Sequence, residues 1–594
     1  MSSGSTTPVL RHRISRACGN CRTRKIKCDG MTPQCTPCAK NIRSVMEGPC
    51  DYGDTLTQVE TLEKNIHRLE NRLRELGEPA LVGGVQLNNP YTKQSSSSTS
   101  KGPLDQSTSF AAGGPPPQIA KFLLETFLFH AHDFAFFLNI GRVRASMLLP
   151  HGHPKRPTRG LTSVICLMGF LFSTFSAPTP TPAQTAQIAG LLSNAINEVT
   201  NMTTTESSHP FIVVQSIQAE LLVATYLLCS GRHLEGQFHL TRANSLAIGA
   251  RLHKVRSNRQ RPYPNDVAHL NTFISTPAPT PSGFSLPPTS DPIEEGERIN
   301  AFWSAFVLSN CWDATVASSM SLISVFGDGN MEVDSPWPMD MLQYEQGGFP
   351  SELQRSWTVQ NFLSHISDDI SAYESSHIAM YSKASVLFKR SRTIALQLQE
   401  VGDGHDPNHI SGTFTTHGRL IDSFISSLPS ISSEEATWER PTTVGMDLAA
   451  YSLAHSSTIQ LHSVLIDTPD PFSLTKSLMA AKACVEILKN EEVEKYLQKM
   501  NWINPVMGIL WDGVCGVFLK CMGKLRSGSG GAVSTIGKAL GIVGEVRAVE
   551  RGLVDMFEAL AVTMQAFASR HLSIQSALEK NLSSYRRLTR DLPV

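Results

Sequence analysis

Apolar residues recur three and four positions apart through most of the chain beyond residue 119. The stretches are Ile119–Asn139, Leu161–Phe175, Phe211–Cys229, Arg298–Ser319, Ser371–Leu398, Met446–Leu465, Leu474–Lys489 and Leu553–Arg570. That spacing lines one face of a 3.6-residue helix and predicts helices in all eight. Pro and Gly punctuate the intervals between them. Period-two alternation and strand–helix–strand patterns are absent, so the fold class expected is mostly α, with a large all-α domain over residues 119–594.

One earlier stretch has a tighter period. Val59, Leu62, Ile66, Leu69, Leu73 and Leu76 are spaced three, four, three, four, three. This is a heptad seam with leucine at every d position and β-branched residues at two of three a positions, a pattern that favours a parallel two-stranded coiled coil. Residues 59–77 are therefore predicted as a dimerisation helix, stopped by Gly77 and Pro79. Gln58, Glu63, Asn65, Glu70 and Arg72 give few complementary flanking pairs, and a helix packed on the body is the alternative. Residues 51–58 form a short linker before the seam. Residues 78–118, with Gly83-Gly84, Ser95 to Ser98 and Gly113-Gly114-Pro115-Pro116-Pro117, have linker composition and too few apolar positions for a core. Leu161 to Ala177 is almost uncharged but shorter than the ~20 residues a membrane span needs, and Pro178 stops it. A buried core helix is the expectation, with no membrane partner.

Composition adds a polarity to this plan. The chain has 594 residues, 41% of them hydrophobic and 18% charged, with a formal net charge of zero. Residues 1–50 nevertheless hold nine Lys or Arg against only Asp29 and Glu47, a surplus of seven positive charges that the remainder balances. Residues 1–17 are a basic arm with no apolar leader segment. A basic end on an acidic bulk suggests nucleic acid at one end and other work elsewhere.

The candidate chemistry lies at that basic end. Of 12 cysteines, six fall within residues 18–50: Cys18, Cys21, Cys28, Cys35, Cys38 and Cys50. Two C-x-x-C pairs have the spacing with which adjacent thiolates grip one tetrahedral zinc. The basic run Arg22-Thr23-Arg24-Lys25-Ile26-Lys27 sits between the first pair and the third cysteine. A disulfide framework is the competing reading. The missing secretory leader and the surrounding cations, which suit thiolates, weigh against it.

The pattern CxxCRxRKxKCDG…PxCxxC resembles the two-zinc, six-cysteine binuclear cluster of fungal transcription factors, over about the first tenth of the chain. The resemblance implies two zinc ions per chain. Eight sulfur contacts from six thiolates require two bridges. By similarity these are Cys18 and Cys35, so that one zinc takes Cys18, Cys21, Cys28 and Cys35 and the other Cys18, Cys35, Cys38 and Cys50. The interval from Ala39 to Pro49 is longer than the family's usual last gap, which makes Cys50 the weakest of the six assignments. Each C-x-x-C pair is expected to open a short helix, the first over about Gly19 to Lys25. Lys25 matches the family's base-reading lysine, with Arg24 beside it, where such donors reach guanine O6 and N7. Arg22 and Lys27 suit phosphate contacts. Pro33 matches a proline common in the joining loop. The same basic run also suits nuclear import, which would add to DNA binding. The resemblance implies double-stranded DNA with CGG-type half-sites, a homodimer, the transcription machinery as a partner, and the nucleus as the place of action.

Weaker matches lie in the body. Gly231 to Gly236 followed by Ala243, Ala247, Leu252 and His253, then Glu297-Arg298 with Phe302-Trp303 and Asp313, then Val333 to Pro338, resemble in order the segments of a fungal regulatory domain. No catalytic constellation is present. H-E-x-x-H and G-x-S-x-G are absent, and the glycine-rich run at 528–531 has the wrong spacing to Lys538 for a phosphate loop. His130 and His132 lie two apart on a helix pattern and face different sides, and His151 and His153 suit a solvated loop. The remaining cysteines, Cys166, Cys229, Cys311, Cys484, Cys515 and Cys521, sit in apolar stretches as buried free thiols. The function expected is a sequence-specific, zinc-dependent transcription factor rather than an enzyme. The competing class is a zinc-stabilised scaffold whose helical body does the work.

Overall fold

Among the described residues, each of the eight stretches with helical spacing holds a helix, one of them broken. The computed structural model describes residues 17–31, 33–40, 50, 115–150, 152–174, 181–258, 286–313, 332–364, 376–399, 407–431, 443–468, 471–500, 502–527, 531–542 and 545–590. The heptad seam Val59 to Leu76, the basic arm and residues 51–114 lie outside these. The chain divides into two compact units, Met1–Gln106 and Ser107–Val594. The first holds two short helices, α1 (Gly19–Thr23) and α2 (Thr36–Ala39).

The second unit runs α3 (Pro117–His130), α4 (Ile140–Met147), α5 (Arg159–Thr174), α6 (Pro182–Thr205), α7 (Ile212–Cys229), α8 (His233–Gly249) and α9 (Pro292–Asp313). It continues with α10 (Met341–Glu345), α11 (Thr358–Leu363), α12 (His377–Gln399), α13 (Pro407–Ser427), α14 (Val444–His462), α15 (Pro471–Glu486) and α16 (Glu491–Lys499). It ends with α17 (Val506–Arg526), α18 (Ala532–Leu540), α19 (Val546–Ala568) and α20 (Leu572–Arg590). Among the described residues the extended pairing of this unit is an isolated bridge between Ser257 and Arg355. The expected helix over Ile119–Asn139 is interrupted. It becomes α3, a 3-10 turn over Ala131–Phe134, and a left-handed Ala135 with φ 54°. Asn139 then starts afresh, its side-chain oxygen accepting the Arg142 N–H at 2.8 Å as the N-cap of α4.

Two hydrophobic clusters form the core. The first gathers Phe127, Leu167, Leu221, Leu227, Phe302 and Trp303 from α3, α5, α7 and α9. The second gathers Phe388, Leu453, Trp511, Phe518 and Phe557 from α12, α14, α17 and α19. Helices α9 and α12 belong to both: Phe302 and Trp303 face the first cluster, while Val307 and Cys311 one or two turns on face the second. Trp303 fixes the following loop to this seam. Its indole N–H donates to the Pro336 carbonyl at 2.7 Å, and its ring stacks on Trp337 with centroids 4.5 Å apart. Helices α7 and α17 are long and apolar enough to span a membrane, yet 89% and 61% of those windows are buried inside the body. Their apolarity is consumed by the core.

A polar tie joins distant parts of the body. The Tyr496 hydroxyl donates to Asp133 Oδ1 at 2.7 Å, linking residues 363 positions apart. Burial pushes the Asp133 carboxyl up to about 7, against the lowering effect of that bond. Gly445, at the start of α14, lies directly beneath both groups, and a Cβ there would overlap Asp133 Oδ1 and the Tyr496 hydroxyl. Gly445→Ala should therefore destabilise the body by about 1–3 kcal/mol, the usual cost of overpacking. Denaturant unfolding measures it, and an unchanged midpoint would contradict the packing described.

The buried histidines set the pH response. Burial lowers His130, His132, His253, His417, His455 and His462 to about 4 and His571 to about 3. Below the ordinary imidazole value of ~6.5 the unfolded chain binds these protons and the folded chain does not, so stability falls as pH falls. Asp133 and Glu297, both pushed up to about 7 by burial, act the other way, as does His377, raised by its bond to Asp447. Asp340, also raised by burial, joins them, so seven groups oppose four. The thermal midpoint should drop on acidification from about pH 6.5 to 4; a flat or rising midpoint would show that the histidines are solvated.

Candidate metal centre and nucleic-acid interface

The two short helices exist to aim cysteines. Cys18 precedes α1 and Cys21 lies one turn inside it; Cys35 is the N-cap of α2 and Cys38 lies inside that helix. Each C-x-x-C pair thus turns both sulfurs toward one point, and all four side chains are buried. Cys35 offers no side-chain cap to α2. Asp29 supplies one from the other half of the module. Its carboxylate oxygens accept the Thr36 N–H at 3.1 and 3.2 Å. That bond holds Asp29 below the ordinary carboxylate range. The sequence pattern does not single out Asp29, because it lies six residues before the N-cap position and reaches α2 only through the fold.

The sulfurs settle the competing cysteine chemistries. Cys18 Sγ lies 3.7 Å from both Cys35 and Cys38 Sγ, and Cys21 Sγ lies 3.5 and 3.8 Å from the same pair. Cys50 Sγ is 3.7 Å from Cys35 Sγ. A disulfide needs about 2.05 Å, and every cysteine is free. A tetrahedral zinc with bonds of about 2.3 Å separates its sulfurs by roughly 3.8 Å, which the Cys18–Cys35, Cys18–Cys38, Cys21–Cys35 and Cys35–Cys50 distances match. Cys21–Cys38 is a contact between the two sites. The atoms form two quartets, Cys18–Cys21–Cys28–Cys35 and Cys18–Cys35–Cys38–Cys50, with all ligand atoms of each within 4.8 Å of one another. Cys18 and Cys35 belong to both. Cys50 reaches the cluster in spite of its long preceding interval because two backbone contacts seat it. Its N–H donates to the Pro33 carbonyl at 2.7 Å, and its sulfur accepts the Cys35 N–H at 3.3 Å.

The thiols without a cation resist ionisation. Burial pushes Cys21 up to about 12 and drives Cys35 and Cys50 in the same direction. Burial also raises Cys18, but hydrogen bonds from the Cys21 backbone and the neighbouring thiols outweigh it and bring this group to about 6. A divalent cation removes the conflict, since its charge stabilises every thiolate at once.

The basic run leaves the cluster at the end of α1. The helix stops at Thr23, two residues short of the expected end at Lys25. Ile26 N–H bonds back to the Cys21 carbonyl at 3.1 Å and Arg24 N–H to the Asn20 carbonyl at 3.1 Å, while Lys25 takes a left-handed φ of 52°. This is a helix-closing turn with lysine where glycine is usual. It brings the chain round so that Arg24, Lys25, Ile26 and Lys27 are all exposed. Arg22 lies within α1, and its side chain is outside the described residues. Among the described residues the metal-competent groupings are these two thiol quartets; His130, His132 and His153 form none.

Residues 16–52 match the model of the fungal Zn(2)-Cys(6) binuclear cluster domain. The N-terminal region is 37% identical over 71 residues to the transcriptional activator protein acu-15 of Neurospora crassa, covering 11% of this chain and 7% of that protein. It is 37% identical over 71 residues to the regulatory protein CAT8 of Saccharomyces cerevisiae, covering 12% and 4%. It is 50% identical over 47 residues to the quinic acid utilization activator of Emericella nidulans, covering 8% and 5%. The likeness is thus confined to the metal module and its surroundings, a small fraction of these relatives' length. No solved structure matches the chain. Motif, sulfur geometry and family model agree that residues 16–52 are a fungal Zn(2)-Cys(6) binuclear cluster domain, a module that binds two zinc ions.

Proposed function

We propose that the chain is a sequence-specific, zinc-dependent transcription factor that acts in the nucleus on RNA polymerase II promoters. The observation that carries the reading is the exposed Arg24–Lys27 turn issuing from a six-sulfur cluster. Relatives of the module bear the names of transcriptional activators and regulators, which supports the same class. In this reading Cys18 and Cys35 bridge two zincs, and Cys21 with Cys28, and Cys38 with Cys50, complete the tetrahedra. Six thiolates against two dications leave two negative charges, which the basic residues around them offset. Lys25 and Arg24 donate to guanine edges in the major groove, and Arg22 and Lys27 position the module on phosphates.

The heptad Val59, Leu62, Ile66, Leu69, Leu73 and Leu76 supports a homodimer, which would place two modules on one duplex and read two CGG-type half-sites. The helical body is the regulatory part. Its support is the ordered set of segments ending at Val333 to Pro338, which form one connected structure. Asp334 Oδ2 accepts Lys254 Nζ at 3.1 Å and the Ser257 hydroxyl at 2.6 Å, and its N–H donates to the His253 carbonyl at 2.9 Å.

The shared sulfurs make a test by mass spectrometry of the full chain. Wild type should carry two zincs. Cys28→Ser or Cys38→Ser should cost one, and Cys18→Ser or Cys35→Ser both; loss of a single ion from a Cys18 or Cys35 variant would break the bridging assignment. Binding selection on random duplexes should enrich CGG triplets. Lys25→Ala should lower specific affinity by about 1–3 kcal/mol, or ~5- to 150-fold, with both zincs retained. Undiminished selectivity in that variant would favour the scaffold reading, in which the cluster serves assembly.

A further inference from the structure

We propose that a groove framed by the end of α11, α12 and α13 binds a small molecule through an oxyanion, a carboxylate or phosphate group, that docks on Arg390. The groove has a volume of about 470 Å³. That falls within the range of small-molecule sites, roughly 300–1,000 Å³. The enclosed space beside Asp133 is about 40 Å³, room for only a few waters at ~10–15 Å³ each. The space beside Asp133 thus suits water, and the Arg390 recess has room for a metabolite.

The chemistry of the recess follows from its walls. Leu363 and Ser364 close one end, Arg390 comes from α12, and Thr413, Thr416 and His417 come from a single face of α13. Among the described residues no acidic side chain lines it, and no carboxylate pairs with Arg390. His417 adds no charge. Burial lowers it to about 4, and its Nε2 lies 3.1 Å from the Ser391 hydroxyl and 3.4 Å from the Leu387 carbonyl. Those contacts lock α13 against α12 and fix the groove's floor. Among the described lining residues the half-buried guanidinium is thus the one formal charge at neutral pH. Its planar fork matches two oxygens of one carboxylate or phosphate, and the Ser364 and Thr416 hydroxyls can donate to the remaining acceptors. Leu363 gives the only large apolar surface, so the rest of the ligand is polar. A lipid or a long apolar drug does not fit such walls.

Gly412 supplies an independent handle. It also lines the groove, and a Cβ built there meets no atom within 4 Å. Gly412→Leu should therefore fold, fill the recess and leave Arg390 in place. Removing a helical glycine favours folding in any case.

The test is thermal unfolding of the full chain, titrated with inorganic phosphate or citrate against chloride at matched ionic strength. The wild-type midpoint should rise with the logarithm of oxyanion concentration beyond the chloride control, as for a ligand bound by the folded state alone. Arg390→Gln should weaken the apparent affinity at least tenfold, and Gly412→Leu should do the same with the arginine intact. Phosphate and citrate also stabilise proteins without a site by exclusion from their surfaces. An equal rise in all three proteins would therefore overturn the proposal, as would no rise in wild type. Loss in Arg390→Gln with full binding in Gly412→Leu would overturn the groove and leave a surface arginine. These measurements contain no DNA, so their outcome is separate from that of the DNA-binding reading.

Discussion

Everything at the N-terminal end depends on the repulsion among six thiolates and its cancellation by two cations. The buried side chains of the module between Cys18 and Cys38 are its cysteines, and its one large aliphatic in the basic run, Ile26, is exposed. A module this small has no apolar interior to order it, and domains below about 40 residues lean on metals or disulfides for that reason. Here the metal takes the role of the core. The sulfur positions fix α1 and α2, the helices fix Asp29 against Thr36, and the closure of α1 fixes the direction in which Arg24 to Lys27 leave. The exposed basic turn, which in the proposed function meets DNA, is thus a by-product of metal geometry. Loss of the metal would remove the surface with the fold.

The helical body obeys the opposite rule. Its two clusters bury whole helices, and polar groups inside it survive because each has a partner. Glu220 is almost fully buried, yet His239 Nδ1 lies 2.5 Å from one of its oxygens and Arg242 3.2 Å from the other. A buried carboxylate in an apolar site is costly when left alone, and two partners make this one tolerable. The pair ties α7 to α8 as Tyr496 and Asp133 tie more distant segments. Such bonds add little net stability. They select one packing among the many that a helical core of leucine and alanine would accept.

The parts that local chemistry dictates were legible in the sequence. Cysteine spacing marks the zinc-type pairs, the family resemblance implies how they divide into quartets, and α7 and α14 follow from apolar periodicity. Other parts were missed for identifiable reasons. Helix α6 is diluted by Thr and Asn, yet Leu191, Leu192, Ala195, Val199 and Met202 recur at helical spacing and Thr181 and Gln184 form a complete capping box at its start, so its signal was present and was passed over. Helix α17 carries Gly508, Gly513, Gly516 and Gly523, which argue against a helix locally, and burial around Trp511 and Phe518 overrides them. The break after His130 is invisible from one stretch because its cause is a partner over 360 residues away: Asp133 must turn to meet Tyr496. The groove at Arg390 is hidden in the same way, since its walls come from three helices separated in the chain.

Charge separation carries the last step. The formal net charge of the chain is zero, and residues 1–50 hold a surplus of seven positive charges, so the remaining 544 residues carry a deficit of the same size. DNA affinity without sequence preference comes from cations meeting phosphates, in proportion to their number. A body that is net acidic adds none of it and is repelled by the duplex at a distance. In the proposed function, the electrostatic share of affinity would then come from the basic residues of each module. Two modules on one duplex would multiply their contributions through effective concentration. The charge distribution thus suits the homodimer proposed from the heptad Val59 to Leu76, although the two features share no residue.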